Sequence, residues 1–82
     1  MTATAPAAPA KVYFTNLRTH GRESQLDKLK RLIRRAGIEQ IDFENKFVAI
    51  KMHFGELGNL SFLRPNYARA VADVVKELGG KP

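Results

Sequence analysis

The chain has 82 residues, of which 14 are lysine or arginine and 8 aspartate or glutamate, for a formal charge of +6 at pH 7. It contains no cysteine, which excludes disulfides, thiolate zinc sites, cysteine nucleophiles and cysteine-ligated iron–sulfur clusters within these residues. A positive balance favours nucleic acid or an acidic partner, although net charges of about 2–8 also serve solubility alone.

Met1 to Ala10, MTATAPAAPA, holds two prolines and no large side chain beyond the initiating methionine, so residues 1–10 are expected to form a disordered tail. Residues 11–82 then make one small domain, of a size that buries only roughly 60% of the surface its unfolded chain exposes. No apolar run approaches the roughly 18 residues of a membrane span. The amino terminus has neither the basic nor the apolar region of a secretory signal. The expectation is a cytoplasmic protein with no membrane partner.

Lys11 to Thr15, KVYFT, is β-branched and aromatic and predicts a first strand. Asn16 to Gly21 is polar and predicts a loop, with His20 exposed in it. From about Glu23 to Ala36 the period becomes helical: Leu26, Leu29, Ile33 and Ala36 share one face, broadened by Leu32. Ser24 caps the start with Asp27 three residues on, and Gly37 ends the helix. Lys28, Lys30, Arg31, Arg34 and Arg35 are assigned to the opposite, solvent-facing surface; the last two also complement the helix dipole.

Ile38 to Asn45 is a connector, and Glu44-Asn45-Lys46 a turn. Lys46 to Asn59, KFVAIKMHFGELGN, follows. It predicts a second strand through Phe47–Ile50, with Lys51 and His53 in phase on one face near its carboxyl end. Gly55 and Gly58 bracket Glu56, and Asn59 follows. Arg64-Pro65 sets the start of a second helix, whose stripe is Tyr67, Val71, Val74, Val75 and Leu78, and Gly79-Gly80 ends it.

Strand, helix, strand, helix predicts an α/β fold: the β-α-β-α start of a parallel-sheet domain. Two parallel strands are a poor independent unit. The pattern therefore reads as incomplete, either a fragment of a larger domain or a subunit that completes its sheet against another chain.

Ligands of parallel α/β sheets gather beyond the carboxyl ends of the strands. That edge would collect Asn16, Arg18, Thr19 and His20 from one loop, and Lys51, His53, Gly55, Glu56, Gly58 and Asn59 from the other. Arg64 joins them at the start of the second helix. Cations, glycines and helix N–H groups suit a small anionic ligand or cofactor such as a phosphate or carboxylate. The same Lys51 and His53 would also suit an edge strand that uses charge to resist aggregation. No P-loop or dinucleotide-binding spacing is present. His53 and Glu56 are too few for a closed metal site, even with His20.

The strings FVAIKMHFGELGN and RPNYARAV, with KVYFTNLRT before them, resemble the amino-terminal part of the domain of unknown function 362 family. The likeness spans Lys11 to Pro82. It implies a longer α/β protein, labelled an iron–sulfur centre protein and often followed by a ferredoxin-like module. With no cysteine here, a cluster belongs only to longer members, and no catalytic residue carries over. The expectation is an amino-terminal piece without independent catalysis, offering an anion- or cofactor-binding edge, with self-association or the rest of the domain as partner. Two alternatives stand beside it: a small basic module contacting nucleic acid through Lys28, Arg31, Arg34 and Arg35, and a non-functional truncated fragment.

Overall fold

The computed structural model describes residues 8–82. The tail expected over residues 1–10 lies outside the described part for its first seven residues; Ala8, Pro9 and Ala10 are exposed and carry no regular structure.

Helix α1 spans Gln25–Ala36. Its start is closed in both directions: the Ser24 hydroxyl accepts from the Asp27 N–H at 3.1 Å, and the Asp27 carboxylate accepts from the Ser24 N–H at 3.0 Å. These bonds satisfy donors that the first turn would otherwise leave open. The helix ends at Gly37, whose φ of 105° is left-handed. A short 3-10 turn, Ile38–Gln40, follows at once. The expected turn at Glu44-Asn45-Lys46 is present: the Lys46 N–H donates to the Phe43 carbonyl at 2.9 Å, and Asn45 takes φ 58°.

Helix α2 spans Pro65–Glu77, with proline in its first turn as the sequence predicts. Its apolar stripe supplies the centre of the molecule, where Ala70, Val74 and Val75 are fully buried and Tyr67, Val71 and Leu78 half-buried. α1 packs along it through half-buried Leu26, Leu29 and Ile33. Polar ties flank this seam. The Tyr67 hydroxyl donates to Gln25 Oε1 at 2.9 Å, Lys30 meets Asp73 at 3.5 Å, and Arg34 pairs with Glu77.

The two expected strands do not form. Among the described residues there is no strand or sheet, so the architecture is helical: two packed helices with extended segments laid against them. This corrects the β-α-β-α parallel-sheet expectation. Strand-favouring residues make a strand only where a neighbouring backbone completes the ladder. The segment after Val12–Phe14 is instead drawn onto α1, where the Gln25 amide donates to the Leu17 carbonyl at 3.0 Å and Lys28 reaches the Asn16 and Arg18 carbonyls.

The second segment finds one short parallel contact, with the residues that follow α2. The Lys81 N–H donates to the Lys46 carbonyl and the Val48 N–H to the Lys81 carbonyl, each at 2.8 Å, a single bridge between Phe47 and Lys81. Gly80 makes this approach possible. A Cβ there would lie 2.6 Å from Val75 Cγ1 and 3.1 Å from Phe43 Cβ. No described helix is long and apolar enough to cross a membrane.

Candidate functional site

The Lys51–Arg64 segment is held mainly by its own short-range bonds. Lys51 and His53 are both exposed, with half-buried Met52 between them and exposed Phe54 after; with no strand here, they do not share the strand face that the sequence predicts. His53 Nδ1 accepts from the Gly55 N–H at 2.9 Å, so this nitrogen is engaged within the loop. Gly55 lies beneath the Phe62 ring. The Glu56 carbonyl accepts from the Asn59 N–H at 2.9 Å, closing a turn whose third residue, Gly58, has φ 85°. A negative φ at Leu57 followed by a positive one is the type II arrangement, which calls for glycine at that third place. Asn59 Oδ1 accepts from the Ser61 N–H at 2.9 Å.

The seven residues expected to form a site are therefore neighbours along the loop rather than the lining of one cavity. Lys51 borders an apolar groove with Leu29, Met52, Tyr67 and Val71, and Arg64 borders a separate cleft with Leu60, Phe62 and Asn66. Arg64 also precedes α2 without a side-chain cap. No three His, Asp or Glu side chains gather among the described residues in a way that could hold a metal.

The other expected loop is built differently. Lys28, assigned to the solvent surface by its place opposite the leucine stripe, is 8% exposed and the one buried charged residue among those described. Its Nζ donates to the Asn16 carbonyl at 2.9 Å, to Asn16 Oδ1 at 2.8 Å and to the Arg18 carbonyl. The reason is geometric. Gln25, Lys28, Leu32 and Arg35 form a second stripe at helical spacing, and the 14–18 segment covers its amino-terminal half. That second stripe is the sequence signal for Lys28, while Asn16 already stands among the residues expected at the edge.

Beside Lys28 a cleft of about 480 Å³ opens between this segment and α1. Thr15, Asn16 and His20 line one side, Lys28 and Arg31 the other, with Phe14 and Glu23 completing it. Arg31 and Glu23 are paired at 2.6 Å. All three protons of the Lys28 ammonium go to neutral oxygens, and no carboxylate lies within ion-pair distance of it among the described residues. The ammonium is thus hydrogen-bonded yet lacks a counter-charge. Burying a charge is costly, and compensation by an opposite charge relieves part of that cost.

The basic surface of α1 is largely neutralised within the chain. Lys30 is tied to Asp73, Arg31 to Glu23, and Arg34 to both Glu39 and Glu77; Arg35 alone among these arginines has no ion pair among the described residues. Of the four cations expected to contact nucleic acid, only Arg35 is both exposed and unpaired. Scans against family models, curated proteins and solved structures each find no match to the chain.

Proposed function

We propose that this chain is a binding element, without a catalytic step of its own, that takes a small anion in the cleft between residues 14–23 and α1. The observation that carries this reading is the Lys28 ammonium, buried in the cleft wall with three hydrogen bonds and no counter-charge among the described residues. A phosphate or carboxylate seated beside Arg31 and His20 supplies the missing negative charge. The likeness to the domain of unknown function 362 family fits a part that serves a longer protein. An iron–sulfur cluster finds no thiolate in this chain.

Titration of inorganic phosphate into isotopically labelled protein tests the proposal. The amide signals of Asn16, Arg18 and His20 are expected to move together, more weakly as salt is raised, and to stay still in Lys28→Met. Arg31→Gln serves as a second variant should Lys28→Met fold poorly. Shifts that are absent, or unchanged in both variants, overturn the assignment. Shifts confined to Lys51, His53, Gly55 and Asn59 would move the anion to the other loop.

A further inference from the structure

We infer that the anion is a nucleoside monophosphate, its base lying on Phe14 and its phosphate over the cations of α1; this rests on the anion-binding reading of the same cleft. The cleft does not end at Arg31. A second hollow of about 210 Å³ shares Phe14, Thr15, Lys28 and Arg31 with it and continues to Leu32 and Arg35. Together they form one trough along α1. From Lys28 to Arg35 the helix advances roughly 10 Å at its ordinary rise, enough for a base, a sugar and a phosphate in line.

Two properties of this trough select the ligand class. The first is charge. Lys28, Arg31 and Arg35 face Glu23 alone, which leaves two positive charges for a monophosphate that is close to dianionic at pH 7. Arg35, which has no ion pair among the described residues, can turn to the phosphate without breaking one. The second is the aromatic ring. Phe14 is 84% exposed and lines both hollows, so a flat apolar surface stands beside the cations with nothing described to cover it. An aromatic face beside cations is what a stacked base requires. A bare phosphate or a sugar phosphate would leave that ring unused. Thr15 and Asn16, next to Phe14 in the chain, offer the hydrogen-bonding groups that a base edge or ribose hydroxyl needs, and His20 is left to the phosphate.

Calorimetric titrations of the whole chain with AMP, ribose 5-phosphate and inorganic phosphate separate the layers of the inference. AMP is expected to bind roughly tenfold more tightly than ribose 5-phosphate, the size of one stacked base. Phe14→Leu should erase that difference while leaving ribose 5-phosphate unchanged; its exposed ring makes the variant tolerable to the fold. Equal affinity for AMP and ribose 5-phosphate overturns the nucleotide assignment but leaves anion binding standing. If none of the three binds, the anion reading falls, and the nucleotide with it. An octathymidylate that binds a hundredfold more tightly than AMP overturns the nucleotide in favour of a single-stranded nucleic acid along the trough.

Discussion

Glu23 and Arg31 hold each other across the mouth of the cleft at 2.6 Å, and that pair opposes any incoming anion. A carboxylate beside a phosphate site repels it, while the guanidinium is partly committed to its partner. Glu23→Gln keeps the shape and removes the charge. It is expected to raise phosphate affinity several-fold, read in the same titration, and to change stability little because exposed ion pairs contribute about 0–1 kcal/mol. Gly80 shows a different kind of constraint on one residue. Its backbone passes so close to Val75, Phe43 and Val48 that a methyl group has no room. Gly80→Ala should therefore cost about 1–3 kcal/mol in urea unfolding, as overpacking does. Gly58→Ala, with nothing within 4 Å of the added carbon, should lose only what its left-handed φ demands, about 1 kcal/mol.

At the scale of the element, α1 owes its start to two side chains. Ser24 and Asp27 exchange hydrogen bonds with each other's backbone, and Asp27 also favours the positive end of the helix dipole. Replacing Ser24 by alanine should cost about 0.5–2 kcal/mol. The Ser24 backbone N–H, then its hydroxyl, hold the Asp27 carboxyl below its usual pKa. Asp73 is lowered by its hydrogen bond from Arg69, with Lys30 adding to it, and Asp42 by Lys46 and the Glu44 N–H. Each carboxylate is therefore easier to keep ionised in the folded chain than in the unfolded one, where its pKa is about 3.9. The stability that this supplies is complete above that pH and is lost as pH falls through the lower folded values. Helical circular dichroism should thus hold to about pH 4 and decline below it. Ser24→Ala should reduce the steepness of that decline, whereas an unchanged acid profile would remove Asp27 from the account.

Over the whole molecule, burial is concentrated on one side of α2. Ala70, Val74 and Val75 are the fully buried apolar residues among those described, while Val12 at 89%, Phe47 at 88% and Leu60 at 92% stand open to solvent. The backbone of 49–54 makes no sheet bonds to shield it. Surfaces of this kind associate. The chain is expected to bind a hydrophobic dye such as ANS, to unfold over a broad temperature range, and to sediment with a mass that rises with concentration. A monomer with a sharp, high-temperature transition and no dye binding would show that the exposed side chains are covered in solution.

What could be read from the sequence alone was whatever is settled within a few residues. Ser24 with Asp27 and Gly37 at the end of α1 act through bonds that span four positions or fewer, Pro65 at the start of α2 through its own fixed φ and missing N–H, and all stand where the pattern puts them. The stripe Val71, Val74, Val75 and Leu78 likewise follows from helical period, and its neighbour Ala70 proved as deeply buried as the valines. The strands do not follow from the sequence because a ladder joins backbones that are distant in sequence. Val12–Phe14 and Phe47–Ile50 have the side chains of strands, yet the first leads into a loop fastened to α1 and the second gains only the bridge to Lys81. The fate of Lys28 was hidden for the same reason. A lysine on the polar face of a helix is ordinarily solvated, and only the passage of Asn16 and Arg18 across that face turns it into a buried charge. Helix ends are local events written in single residues; pairing and burial depend on which distant segment arrives, and that the tertiary structure decides.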